Sequence, residues 1–222
     1  MVWLNYIQIA IDGPAGAGKS TIAKLIADKL NYTHIDTGSM YRAITLKAII
    51  LNIDLADENS YGFVDDTTFK FINNEIYMDG KNVSSEIRGN DVSNNVSLVS
   101  SHLYVRERLV KAQYDMAQNF NIVMDGRDIG TVVFPDAELK LFVTSDTEIR
   151  AKRRYNELRG KGEKVSLEDV KANLEKRDYI DSHRKESPLT QAEDAVIIDT
   201  SHLTREEQTD VAYELVMGRV LP

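Results

Sequence analysis

Nine consecutive residues, Gly13, Pro14, Ala15, Gly16, Ala17, Gly18, Lys19, Ser20 and Thr21, have the types and spacing of a loop that wraps phosphate. They fit G-x-x-x-x-G-K-[ST]. The glycines allow a backbone path that a β-carbon would obstruct. Successive N–H groups can then turn inward around phosphate oxygens. Lys19 can reach terminal phosphates as a point charge, and the Ser20 hydroxyl can ligate Mg²⁺.

Three further constellations could serve a second anion. In the first, Asp36 to Arg42, Arg42 can fork onto a phosphate while Tyr41 packs or hydrogen-bonds beside it. The same residues would also suit a capped helix start with an exposed arginine. In the second, Asp125-Gly-Arg-Asp128, Asp125 can act on Mg²⁺ water ligands or on substrate, and Arg127 can neutralise phosphate. A turn without function is the alternative. The third is a pair of basic helix faces. Arg150, Arg153 and Arg154 share one face, and Arg177, Asp181 and Arg184 share another. With a hinge between Arg159 and Lys164 they could close over a nucleotide. Turned to solvent, they would form surface pairs worth only about 0.3–0.5 kcal/mol each.

These groups need a scaffold, and the periodicity supplies one. Short apolar or β-branched runs predict strands at Ile7–Ile11, Ile122–Asp125, Leu139–Val143 and Ala195–Asp199, and Thr33–Asp36 is a short strand candidate. Apolar residues at helical spacing predict helices over Ser20–Leu30, Met40–Leu51, Asp146–Arg159, Ser166 to about Ser187, and Thr204–Met217. Gly38 reads as a turn. Asp146 reads as an N-cap, Ser166-Leu-Glu-Asp169 as a capping box, Pro188 as a stop and Gly218 as a helix end. Five strands alternating with helices imply a parallel sheet covered on both faces. The loop then sits between a strand and a helix N-terminus, where the helix dipole favours anions. Residues 68–83 break the alternation. Turn signals at Asn73-Asn74 and Asp79-Gly80 mark them as an antiparallel insert. Gly160-Lys-Gly162 reads as a mobile lid tip.

The 222 residues are 42% hydrophobic and 28% charged, an ordinary globular composition. With no cysteine, disulfides and thiolate chemistry are excluded, and a cytoplasmic setting is expected. No signal peptide or membrane span is expected. The net charge of −8 argues against general nucleic-acid binding. Residues 150–185 nevertheless carry +5, which fits a small polyanionic ligand as well as it fits a solvated helix. The four histidines, His34, His102, His183 and His202, have no metal-ligand spacing and read as ordinary surface or helix residues.

Over nearly its whole length the chain resembles the bacterial cytidylate kinases, of the nucleoside monophosphate kinase group. The resemblance is carried by Ile11 to Thr21, Asp36 to Arg42, Val105-Arg-Glu107, Asp125 to Pro135, Arg177-Asp178 and Ser187-Pro-Leu189. One departure is Ser39, where the family more often has Ala.

The resemblance implies a P-loop α/β fold: a five-stranded parallel sheet with helices on both faces, an antiparallel insert and a short helical lid. The core would comprise residues 1–38, 102–150 and 165–222, the monophosphate-binding lobe 39–101 and the lid 151–164. It implies phosphoryl transfer from ATP, with Mg²⁺, to CMP and dCMP. Arg42 and Arg127 would hold the acceptor phosphate. Ser97, Arg106 and members of the Asp125–Asp128 run would read the cytosine edge, and Arg177 and Asp181 the pentose hydroxyls. Arg184 and the arginines of 150–154 would close on the phosphates. Free nucleotides would be the partners of a monomeric enzyme, without nucleic acid or membrane. Competing readings are a kinase for UMP or another small acceptor, and a P-loop ATPase that regulates a partner. A switch GTPase would need a guanine-specifying Asn-Lys-x-Asp segment, and none is present.

Overall fold

A computed structural model describes residues 6–220. Residues 1–5 and 221–222, which the expected core boundaries include, lie outside the described residues. Five strands, β1 (Gln8–Asp12), β2 (Thr33–Asp36), β6 (Ile122–Gly126), β7 (Leu139–Thr144) and β8 (Val196–Asp199), form one parallel sheet in the order β2-β6-β1-β7-β8. All five predicted strands are present. Side chains alternate across the sheet. Ile9 and Ile11 of β1 pack on one face with Ile22 and Ile26 of α1 (Lys19–Leu30) and with Ala212 and Val216 of α7 (Arg205–Arg219). Ala10 faces the other way, into a core with Ile35, Met124, Ile129 and Phe134. Both faces are therefore dry, as parallel strands require.

The insert is the sheet β3 (Phe69–Ile72), β4 (Glu75–Met78) and β5 (Lys81–Asn82). Its two tight turns are the predicted ones. Asn73, Asn74, Asp79 and Gly80 all have positive φ, the backbone form that two-residue hairpin turns need. The insert shares a core with α2 (Thr37–Ile50), α3 (Asn90–Val99) and α4 (Leu103–Met116), in which Met40, Ile44, Ile76, Val96 and Leu109 are buried. Helices α5 (Thr147–Gly160) and α6 (Leu167–His183) pack through Ala151, Leu158, Val170 and Leu174, with Ala15 of the phosphate loop in the same cluster.

Several boundaries differ from the sequence reading. Gly38 lies inside the first turn of α2 and makes no turn of its own. The Asp36 carboxylate accepts from the Ser39 N–H and starts that helix three residues early. Helix α6 ends at His183, because Arg184 adopts extended backbone well before Pro188. Helix α7 runs through Gly218 to Arg219. Asp146 occupies the N-cap position without a side-chain bond. Ser166 accepts from the Asp169 N–H, which is half of a capping box. The complete box belongs to Thr204 and Glu207. Among the described residues, no helix is long and apolar enough to cross a membrane.

The registers place Asp36 beside Asp125, Asp125 beside Ile11, and Gly126 beside Asp12. The carboxyl ends of β1, β2 and β6 thus deliver three aspartates to one edge, where ligands bind in open α/β sheets.

Candidate active site

The phosphate loop leaves β1 through Gly13, at φ 147°. A β-carbon there would lie 1.9 Å from the Val143 carbonyl oxygen, so only glycine lets β1 and β7 pass this closely. The loop is braced from outside. Arg150 donates to the Ala15 carbonyl at 3.0 Å and to Asp178 at 2.6 Å, and Asp178 accepts from the Ala15 N–H at 3.4 Å. Thr200 Oγ1 donates to the Ala17 carbonyl at 2.9 Å. Lys19 is buried and donates to the Pro14 carbonyl at 2.7 Å. Burial first, and the nearby Arg127 charge second, pull its pKa down to about 7. An ammonium so poorly solvated is well placed to accept an anionic partner.

Asp125 is the hub beneath the loop. One carboxylate oxygen accepts from Ser20 Oγ at 2.6 Å and the other from His34 Nε2 at 2.8 Å, while Thr37 Oγ1 donates to its carbonyl at 2.8 Å. Burial works against its charge. The bonds from His34 and Ser20 and the Lys19 charge outweigh burial and hold the carboxyl below the usual range. Burial likewise opposes the His34 charge, yet the Asp125 contact raises that imidazole's pKa. Among the described residues no three His, Asp or Glu side chains could enclose a metal by themselves. A hydroxyl beside an ionised carboxylate, open to phosphate oxygens, is the donor set Mg²⁺ accepts: few protein groups, with phosphates and water completing the shell.

Across the cleft lies a group of arginines. Arg42 donates to Ser93 Oγ at 3.0 Å and Arg127 to Asp181 at 2.9 Å. Arg177 has a buried Nε with no partner among the described residues. Burial, and then the charges of Arg42 and Arg127, lower the Arg177 pKa to about 9; burial also lowers Arg42 to about 10, with Arg154 and Arg127 adding to the effect. Guanidinium groups that disfavour one another this strongly call for a polyanion between them. Further along the cleft, Arg106 donates to Asp128, and its guanidinium lies 5.3 Å from the ring centre of Tyr41, whose hydroxyl is buried without a partner. Arg184 donates twice to the Ser187 carbonyl, at 2.6 and 2.9 Å, and sits 3.8 Å from Asp128. Asp12 accepts from the backbone N–H groups of Ile129 and Gly130, at 2.9 and 2.7 Å, and so ties the base of the phosphate loop to the turn that follows Asp128. One cleft of about 730 Å³ holds the loop, the Asp125 hub and the arginines together.

The sequence pattern of the cytidylate kinase family matches residues 9–217. The chain belongs to the cytidylate kinase family. It is 52% identical over 211 residues to a cytidylate kinase of Caldanaerobacter subterraneus subsp. tengcongensis, covering 95% of this chain and 94% of that one. It is 47% identical over 211 residues to a cytidylate kinase of Acholeplasma laidlawii, covering 95% of each. An uncharacterised protein from Eubacterium ventriosum shares the fold, with a TM-score of 0.54 at 15% identity over 97% of this chain and all of that one.

In this kinase the residues singled out by sequence converge on the cleft. Ala15, Gly16, Gly18, Lys19, Ser20 and Thr21 line its loop side. Asp36, Tyr41, Arg42, Ser97, Arg106, Asp125, Arg127, Asp128, Arg150, Arg154, Arg177, Asp181 and Arg184 line the rest. Gly13, Pro14 and Ala17 are not among the lining residues and shape the loop from behind. Arg150 has its donors engaged with Ser145, Ala15, Asp178 and Thr147, so its geometry is that of a brace. Arg184 sits with Arg106, Asp128 and Asp181.

Residues that sequence reasoning left without a role complete the site: Ser93 has no signal, and Asp178 and Asp12 stand in recognised motifs without an assigned function. Ser93 holds Arg42, Asp178 holds the loop, and Asp12 holds the turn after Asp128. Two of the four histidines, His34 and His102, need correction. His34 is buried against Asp125, and His102 donates to or accepts from nothing in the cleft: its Nε2 meets the Leu55 carbonyl at 2.8 Å and its ring lies 5.0 Å from that of Tyr61. His183 is exposed and stacks on Tyr179, and His202 is exposed.

Proposed function

We propose that this enzyme transfers the γ-phosphoryl group of ATP to CMP and dCMP, giving ADP with CDP or dCDP. The observation that carries the reading is the mutually repelling arginine group, in which the buried Arg177 Nε has no partner among the described residues, in the same cleft as a phosphate loop. A hydroxyl acceptor would not need so many guanidinium groups. A nucleotide's terminal phosphate would, and membership of the cytidylate kinase family points to CMP.

A phosphate oxygen of CMP attacks the γ-phosphorus, and the bond to the β,γ-bridging oxygen breaks as ADP leaves. The acceptor phosphate is largely dianionic near neutral pH, its second pKa being about 6, so no strong base is needed. Catalysis is then positioning and charge stabilisation. The loop amides and Lys19 hold the donor phosphates. Arg42 and Arg127 hold the acceptor phosphate, with Arg127 near enough to Lys19 to sense the group in transit. Ser97, Arg106 and Asp128 read the cytosine edge, and Arg177 and Asp181 meet the pentose. Arg154 closes on the phosphates, Arg150 keeps the loop in shape, and Arg184 supports Asp128. Ser20, with Asp125 behind it, would hold Mg²⁺, which would neutralise charge on the donor phosphates.

Residues 39–101 form the monophosphate lobe and 151–164 a lid on the core. The Asn90 amide donates to Glu163 at 2.9 Å, which supports closure of lid against lobe, and the Asn173 amide of α6 donates to Asn94 Oδ1 at 2.9 Å, a second bridge from the core to the lobe. The enzyme works as a cytoplasmic monomer on free nucleotides; the net charge of −8 supports this over nucleic-acid binding. The test is ADP release with CMP, dCMP, UMP, AMP and GMP as acceptors. Preference for CMP and dCMP is expected. Preference for AMP or GMP, or hydrolysis indifferent to every acceptor, overturns the reading.

A further inference from the structure

We propose that His34 is a positioning residue of the donor site: by donating from Nε2 to Asp125 it fixes the carboxylate that orients the Ser20 hydroxyl toward a metal-bound donor phosphate. The inference rests on the kinase reading and adds a residue to it. His34 stands on β2 two residues before the strand end, beside Val123 of β6. Alternation along parallel strands turns His34 and Asp36, and likewise Val123 and Asp125, to a common side. The imidazole therefore reaches forward along the sheet and meets Asp125 Oδ1 at 2.8 Å, with its side chain only 9% exposed.

The geometry divides the carboxylate between two donors. Oδ1 belongs to His34, and Oδ2 takes the Ser20 hydroxyl at 2.6 Å. Among the described residues no other group hydrogen-bonds these two oxygens. A carboxylate held at one oxygen can still turn about its Cβ–Cγ bond; held at both, its plane is set. Ser20 donates its proton to Asp125, which leaves its lone pairs free for a cation. Losing His34 would free the plane and, with it, the direction of those lone pairs. The other ring nitrogen faces Asn74 Oδ1 at 3.4 Å, in the β3–β4 turn. That longer contact steadies the ring from outside the site.

The experiment compares ATP binding by calorimetry, with Mg²⁺ and with EDTA, in wild type, His34→Gln and His34→Asn. A glutamine amide nitrogen reaches roughly where Nε2 sits, and an asparagine amide nitrogen where Nδ1 sits. Asparagine thus keeps the polar atom facing Asn74 and withdraws from Asp125. We expect the tightening of ATP binding by Mg²⁺ to fall about tenfold in His34→Asn, as for other residues behind a metal ligand, and to return in His34→Gln. Affinity in EDTA should match wild type in both. If the asparagine variant does not fold, His34→Met, which fills the same space without a donor, takes its place with the same expectation. The proposal falls if the variant lacking the donor keeps the full Mg²⁺ effect, or if glutamine and asparagine lose it equally. Turnover with CMP is scored separately, so a wrong acceptor would leave the calorimetric result standing.

Discussion

Arg127 donates from Nε to Asp181 at 2.9 Å, joining the end of β6 to α6. The bond fixes one edge of the guanidinium, Nη1 makes a longer contact of 3.4 Å with the Gly126 carbonyl, and the face and Nη2 are left to the cleft. Burial disfavours the arginine's charge, but Asp181, and then Asp178 and Asp125, more than compensate and keep its pKa raised. Arg127 is thus a permanently charged group held near Lys19 of the phosphate loop and near Arg42 and Arg177.

Replacing Arg127 by alanine should lower kcat by about 10²- to 10³-fold, the usual loss when one donor to a developing charge is removed. Stability should change much less. Asp181 keeps the charges of Arg177 and Arg184 beside it, so no carboxylate is stranded. Steady-state ADP release and a thermal melt on the same preparation check both halves. A Tm drop of more than about 10 °C would mark Arg127 as a structural residue first.

Gly13→Ala should be severe for a different reason. The new methyl would sit 1.9 Å from the Val143 carbonyl oxygen, at a φ of 147° that side chains rarely adopt. Either β7 moves or the loop does. Backbone strain and overpacking together suggest a loss of about 2–5 kcal/mol, measurable by urea denaturation, with ATP binding lost in whatever remains folded. Gly160→Ala, where nothing lies within 4 Å of the added carbon, is the matched control and should be near neutral.

The parallel sheet was legible in the sequence because four of its five strands are short apolar runs, β2 (Thr33–Asp36) being the polar exception, and the phosphate loop because its chemistry is contiguous. Helices α3 and α4 were less legible, and no helix was expected over either. The buried side of α3 includes Ser93 and Ser97 between valines, and β-branched, Ser and Asn residues carry no strong helix signal. The buried side of α4 includes Arg106 and Gln113, and its N-cap His102 makes no capping bond. Both helices carry polar groups on their buried sides, Ser97 and Arg106 among them lining the cleft, and these dilute, without removing, the helical spacing of Val92, Val96 and Val99 and of Val105, Leu109 and Ala112. His34 was missed for a related reason. Its partner lies 91 residues away, and only the β2–β6 register brings the two together.

The Ser39 side chain is employed at the start of α2. Its hydroxyl donates to Asp36 Oδ2 at 2.7 Å while its N–H donates to Oδ1 at 3.2 Å. Ser39→Ala removes one of two bonds to a helix-capping carboxylate. A loss of about 0.5–1.5 kcal/mol is expected, seen as a Tm lower by a few degrees. The backbone bond persists, so kcat and the KM for CMP should stay within about twofold. A larger change in KM would mean that the hydroxyl, or the carboxylate it steadies, touches the acceptor directly.

Lys19 sets function against stability. In the unfolded chain its pKa is near 10.5, and in the folded protein without ligand burial brings it down to about 7. Between those values the unfolded state binds more protons, so Lys19 makes stability rise with pH. Lys19→Met removes the buried charge. The variant should therefore melt above wild type at pH 7, and the gap should close as pH approaches 10. Turnover should fall by at least about 10²-fold throughout, because the donor phosphates lose their point charge. ATP also restores the lysine's charge. Nucleotide binding to wild type at pH 8 should draw in a proton, read as a heat that varies with the ionisation enthalpy of the buffer, and the methionine variant should lack that component. A Met variant less stable than wild type at pH 7 would mean that the Lys19 bond to the Pro14 carbonyl outweighs the burial of its charge.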